Sequence, residues 1–202
     1  MKIILASQSP RRQELLNKIG LNFTVCPSHF DESSIPYNNN PENYCKMLAE
    51  KKAEIIAEQH PDSLVIGADT IVVKNKVVYP KPNSKIEAIQ FLKELSGNTH
   101  HVFTGVWLIS KQNNFSYSFV EKTEVTFHSL SSKDIEFYVT NENPFDKAGG
   151  YGIQDFSMVF IKKIDGCYFN VVGLPLPRLY NEFKNNYPEI FENLLVTKME
   201  SL

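Results

Sequence analysis

The chain has 202 residues, 42% apolar and 22% charged, with a formal charge of −2. A protein this close to neutral has no global field for gripping nucleic acid, so any anion site must be local. No apolar run approaches the ~20 residues that span a bilayer, the start MKIILASQSPRR is too short and too weakly charged for a secretory signal, and the odd, widely spaced Cys26, Cys45 and Cys167 read as reduced, buried thiols of a cytoplasmic protein.

Ile3-Ile4-Leu5 is a short strand, ended by Ala6-Ser7-Gln8-Ser9. Ser9 is a preferred N-cap, Pro10 a favoured first helical residue, and Gly20 a helix stop. Arg11 and Arg12 fall in the first turn of that helix, where the helix dipole disfavours cations. Beside free N–H groups and two serine hydroxyls, they point to a bound polyanion. Phe23 and Val25 alternate with polar residues as in a half-buried strand, and a polar loop with Asp31 and Glu32 follows. Asn40-Pro41 opens a helix to about Gln59, with Tyr44, Met47, Leu48, Ile55 and Ile56 as its apolar stripe. Lys51 lies within the stripe and Lys52 at its edge, and the spacing does not choose which faces a cleft.

Leu64-Val65-Ile66 and Ile71-Val72-Val73 read as apolar strand runs interrupted by Gly67-Ala68-Asp69-Thr70. A carboxylate between them is costly to bury unless paired or bound to a metal, which singles out Asp69. A hairpin turn is expected at Asn75, and Lys81, before Pro82, sits in extended chain. Ser84 and Glu87 form a capping-box pair opening a helix over 85–95, with Ile86, Ile89 and Leu92 inward and Gly97 at its end. Residues 101–110 read as a strand, with His100-His101 at its edge rather than in a metal site. Residues 115–127 contribute to two or three antiparallel strands; Trp107, Phe119, Val125 and Phe127 are core candidates. Ser131 and Asp134 cap a helix ending near Thr140. The glycines of DKAGGYGIQ, which precede Gln154, fit neither the dinucleotide fingerprint nor the GxxxxGK[ST] loop, but allow close backbone approach to a ligand. A hairpin is expected over 158–164 and 168–172, turning at Asp165-Gly166, before a last helix from about Pro177. The chain past Pro188 is expected to fray.

Cations at Arg11, Arg12, Lys51 or Lys52, Lys81 and Lys147, set with carboxylates at Asp31, Glu32, Asp69 and Asp146, suit a divalent cation bridging to phosphates. The chemistry implied is phosphoryl transfer to water, with a carboxylate orienting or deprotonating it. No Ser-His-Asp or Cys-His arrangement competes.

LASQSPRRQELL, GADTIVV, the spaced Lys-Pro, LSGNTHHVFTGV, TEVTF and DKAGGYGIQ…NVVGLPL, in order from about residue 3 to 180, resemble the Maf family of nucleoside triphosphate pyrophosphatases. The resemblance implies an α/β fold: an elongated, mixed, twisted sheet flanked by helices, similar to the inosine triphosphatases. It implies one domain over 1–202, with two lobes about a central cleft. It implies hydrolysis of a nucleoside triphosphate to the monophosphate and pyrophosphate with Mg²⁺ or Mn²⁺. By matching motifs, Asp69 is the expected proton acceptor, and Glu32 assists with metal or water. Ser7, Arg11, Arg12, Lys52 and Lys81 are expected on the phosphates, the family's Leu-Ala-x-x-Lys-Ala pattern selecting Lys52. Arg11, Thr70 and Gln154 are expected to bear on substrate choice. DKAGGYGIQ resembles the dTTP/UTP branch rather than the 7-methyl-GTP branch, although Asp155 stands where many members have Gly. Members are often dimeric, which extends to this chain as an expectation. A nucleotide-binding module without catalysis and a regulator of cell division are the rival readings.

Overall fold

The computed structural model describes residues 1–192. Its centre is a seven-stranded mixed sheet built from β1 (Lys2–Leu5), β2 (Thr24–Val25), β3 (Ser63–Lys74), β4 (Val77–Tyr79), β5 (Thr99–Ser110), β6 (Phe115–Phe127) and β7 (Ile161–Asp165). The order is β2-β1-β3-β5-β6-β7, with β4 also on β3; β1 runs parallel to β2 and β3, and the other pairings are antiparallel. The helices are α1 (Pro10–Lys18), α2 (Pro41–Gln59), α3 (Lys85–Leu95), α4 (Ser132–Asn141), α5 (Tyr168–Val172) and α6 (Leu176–Asn186). Among the described residues no helix is long and apolar enough to cross a membrane.

The expected starts of α1, α2 and α4 are present. Ser9, Asn40 and Ser131 accept from the backbone N–H three residues on, and Ser131 with Asp134 closes a full capping box. At α3 only half the box forms: Ser84 accepts from Glu87 N, but the Glu87 carboxylate takes the N–H of Asn83. Asn75 and Lys76, both with positive φ, make the β3–β4 turn.

Several expectations are corrected. Residues 63–74 are one unbroken strand, because β5 pairs with it along almost its whole length, whereas 99–110 and 115–127 are two antiparallel strands as expected. What is interrupted at Gly67–Thr70 is the far edge of β3. There β1 covers residues 63–66 and β4 covers 72–74, leaving a gap between them. Of the predicted α2 stripe Leu48 and Ile56 are buried, but Tyr44, Met47 and Ile55 give way to Cys45, Ala49, Ala53 and Ala57, since small side chains bring this helix close to the sheet. Of the predicted inner face of α3, Leu92 is buried and Ile89 packs partly buried on the core, but Ile86 is 79% exposed, and Ala88 and Leu95 complete the buried face. Trp107 is only half-buried, and of the cysteines only Cys45 is fully buried. The second arm of the expected 158–172 hairpin is α5; its Asn170 side chain bonds to Val102 O and Thr123, fixing it as a helix across the sheet. The first arm splits into a short 3₁₀ segment, Phe156–Phe160, and β7, which pairs with β6. Fraying past Pro188 falls mostly on 193–202, outside the described residues; Ile190 is itself buried.

α2 covers one face of the sheet. On the other, α1 and α6 pack over one end of the long strands and α3 and α4 over the other, giving separate apolar clusters. His100 and His101 face opposite ways: His101 reaches Glu124, while His100 is fully buried with Nε2 2.6 Å from the Tyr151 hydroxyl. Burial holds the His100 imidazole neutral, lowering its pKa from 6.5 to about 3. A depressed pKa contributes stability above the unfolded value, and that contribution is lost as pH falls from 6.5 toward about 3. His100→Gln, which can still bond Tyr151, is expected to flatten the acid limb by up to ~1.4 kcal/mol per pH unit. Denaturant melts from pH 7 to 4 check this; an unchanged slope refutes it.

Candidate active site

A cleft of about 660 Å³ opens at the gap on the β3 edge. Strand alternation sends Asp69 to the α2 face and Thr70 to the α1 face, so one dipeptide serves both walls. The pair sits where the edge of β3 is uncovered, which lets a ligand straddle that edge.

On the α2 side, Asp69 is 5% exposed. Lys52 Nζ donates to Asp69 Oδ1 at 2.5 Å and to Glu32 Oε1 at 2.7 Å, while Lys51 points outward to Glu54. Among the described residues nothing hydrogen-bonds Asp69 Oδ2, so it is available to a water. Burial, aided by Glu32, raises the Asp69 pKa against the pull of Lys52. Burial alone would lower the Lys52 pKa, but Asp69 and Glu32 outweigh it and keep the ammonium charged. Burial alone would raise Glu32, but Lys52 holds it below the usual carboxylate range. Glu32 is presented by a 3₁₀ turn whose cap is Asp31, bonded to Ser33 N and Oγ. Asp31, grouped above with the cleft carboxylates, is spent on that cap and does not line the cleft. Behind Asp69, the Cys45 thiol donates to its backbone carbonyl and accepts from Gly105 N.

On the α1 side, Arg12 is buried. Nε donates to Gly173 O at 2.8 Å, Nη1 to Ser7 Oγ at 2.9 Å and Nη2 to Thr70 Oγ1 at 3.0 Å. Burial lowers its pKa against the pull of Asp69, yet a guanidinium stays charged. Three of its five N–H groups are thus occupied, leaving two for a ligand. Thr70 continues the network to Thr104, and Thr104 to Asn170 O. Sequence reasoning missed Thr104, Asn170 and the Gly173 carbonyl. The detectable signals were polar residues inside apolar runs, and a glycine between Val172 and Leu174, which adopts a φ of +123° and whose carbonyl accepts from Arg12.

Lys81, exposed, lines the cleft mouth beyond β4. Gln154 also lines it, exposed and without a side-chain hydrogen bond among the described residues. Arg11 is turned aside: Nη1 and Nη2 bond Asp146 Oδ2 and O at 2.7 and 3.1 Å. Lys147, counted above as a cleft cation, has its three protons directed to Asn143 O, Asp146 Oδ1 and Asp155 Oδ2. Lys52, Lys81, Lys147 and both arginines remain on the cleft wall, but with Lys147 so engaged it is Lys52, Lys81, Arg11 and Arg12 that have donors to offer a ligand. All nine positions singled out in the sequence, Ser7, Arg11, Arg12, Glu32, Lys52, Asp69, Thr70, Lys81 and Gln154, line this one cleft.

No group of three His, Cys, Asp or Glu suited to a metal occurs among the described residues. The Asp69–Glu32 pair nevertheless fits a magnesium-type ion, which takes one or two carboxylates and completes its shell from phosphates and water.

The chain is 44% identical, over 92% of its length and 97% of the other, to a Clostridium perfringens protein named dTTP/UTP pyrophosphatase. It is 47% identical, over 91% of its length and 97% of the other, to a Geobacillus protein of the same name. A Staphylococcus aureus Ham1 structure aligns at 13% identity with a TM-score of 0.45, over 63% of this chain and 72% of that one. Residues 2–186 match the family model described as Maf-like protein. With that match over most of the chain, and with these relatives, the chain belongs to the Maf-like family.

Proposed function

We propose that this protein hydrolyses dTTP and UTP to the monophosphate and pyrophosphate. The observation that carries this reading is the buried Asp69–Lys52 pair facing the Arg12–Ser7 wall across one cleft. A water hydrogen-bonded to Asp69 Oδ2 attacks the α-phosphorus. Its proton passes to Oδ2, the bond from the α-phosphorus to the bridging oxygen breaks, and pyrophosphate leaves. Lys52, Lys81, Arg11 and the two free N–H groups of Arg12 meet the charge that builds on the leaving group. Ser7 and the N-terminus of α1 add neutral donors. Asp69 and Glu32 would hold Mg²⁺ or Mn²⁺, which when bound neutralises phosphate charge. The Gln154 amide donates to a pyrimidine O4 and accepts from N3–H. The names of the relatives support the same substrates.

A nucleotide panel with Mg²⁺ or Mn²⁺, assayed for both products, tests the reading. Turnover of dTTP and UTP to equimolar pyrophosphate and monophosphate is expected, and loss of turnover with excess chelator. Orthophosphate alone, a preference for 7-methyl-GTP, or binding without turnover overturns it.

A further inference from the structure

Gln154 sits in a short turn, and that turn is bound more tightly than its exposure suggests. The buried Ser157 hydroxyl accepts from Gly152 N at 2.9 Å, and its proton lies within reach of Gly152 O at 2.8 Å and Asp155 Oδ1 at 2.6 Å. Asp155 also accepts from Ser157 N. Its second oxygen, Oδ2, is 3.0 Å from Lys147 Nζ, and Lys147 in turn bonds Asp146 and Asn143 O. Asp146 is the residue that Arg11 grips from α1. Gly152 is enclosed by this set: a Cβ there would lie 2.8 Å from Asp155 Oδ2 and 2.9 Å from Lys147 Cδ.

We propose that Asp155, Lys147 and Ser157 form a cage around Gly152 that fixes the backbone of Gln154, and that they are thereby positioning residues for base selection. This rests on the reading that Gln154 meets the base. A glutamine amide complements uracil in one orientation and cytosine in the flipped one, so the amide alone does not discriminate. Discrimination needs its anchor held still against the rest of the cleft, as the cage holds it. The remaining side of the turn is tied to α1 through Asp146 and Arg11, so the base wall and the phosphate wall move as one unit.

The test is a cycle of Gln154→Ala, Asp155→Ala and the double variant. UTP and CTP are compared in kcat and KM, and their α,β-methylene analogues in binding by calorimetry. Asp155→Ala is expected to cut the UTP-over-CTP preference about tenfold, with kcat for UTP within about threefold. Gln154→Ala is expected to lower the same UTP-over-CTP preference about tenfold in binding of the analogues, and the double variant to lose no more preference than either. Asp155→Asn, which keeps acceptors for Ser157 but drops the charge facing Lys147, is expected to lose less; it also answers the question if Asp155→Ala does not fold. Full preference in both Asp155 variants, with the preference lost in Gln154→Ala, overturns the cage alone. Additive losses in the double variant overturn it too. If Gln154→Ala keeps the preference in binding, the base-reading role of Gln154 fails and the cage with it. If no nucleotide turns over, the proposed reaction fails, and the binding cycle still decides on the cage.

Discussion

Asp69→Asn is expected to lower kcat/KM about 10³-fold while leaving the protein folded, the range that removal of a general base produces. Asn has the same shape, and its Oδ1 still accepts from Lys52. It cannot take a proton at the position of Oδ2, so the attacking water is no longer activated. The fold tolerates the change because Glu32 remains to balance the Lys52 ammonium. Burial already penalises the Asp69 carboxylate, so neutralising it recovers part of what the lost ion pair costs. The melting temperature is therefore expected to move by less than ~5 °C. The pH profile gives a second readout. The base works only unprotonated, and burial raises its pKa, so wild-type kcat/KM should fall on the acid side above the ordinary aspartate range. The residual activity of the variant should lack that limb. A fully active variant refutes the role of Asp69. A variant that unfolds shows instead that the carboxylate is needed to hold Lys52.

Much of this site was legible because its parts break local rules. Arg11 and Arg12 sit at a helix start that repels cations, and Asp69 sits among residues that disfavour charge. Pro10 and Pro41 announced their helices through chain geometry alone. Assembly was harder to read. Asp69 and Thr70 are adjacent, yet alternation sends them to opposite faces, and the gap between β1 and β4 lets both line one cleft. The pairing that ties Arg11 to Asp146 spans 135 residues and has no local signature. Local pattern also misled. Large apolar residues suggested Tyr44, Met47 and Ile55 as the inner stripe of α2, whereas close approach to the sheet selected cysteine and alanines. A turn pair at Asp165-Gly166 suggested a hairpin, but the chain leaves β7 there to enter α5, where the buried Asn170 amide finds partners across the sheet.

Gly67→Ala is expected to lower stability by about 3 kcal/mol, or ~6–12 °C in melting temperature, although it adds a single methyl group. Elsewhere in a strand this change reduces unfolded-state entropy and is mildly favourable. Here the new Cβ would overlap the backbone carbonyl oxygen of Ala49 and lie 2.7 Å from Ala53 Cβ. Backbone cannot swing aside as a side chain can, so α2 must lift away from β3. Lys52 rides on α2 between these two alanines, so the same lift draws its ammonium from Asp69 and Glu32. Activity should fall with stability, at least tenfold in kcat/KM measured well below the melting transition, because misplacing a charged group by about 1 Å is costly. Adding Ala53→Gly removes the side-chain clash but not the Ala49 carbonyl, so rescue should be partial. Gly105→Ala makes the parallel case: its Cβ would lie 2.6 Å from Cys45 O, on the residue paired with Asp69 across the sheet. Calorimetric melts of the three variants with matched kinetics decide the matter. An unchanged melting temperature in Gly67→Ala means that α2 does not need its close seat on the sheet. Full rescue by Ala53→Gly means that the Ala49 backbone is not the obstacle. If stability is lost but kcat/KM is kept, Lys52 does not depend on that seat for its position.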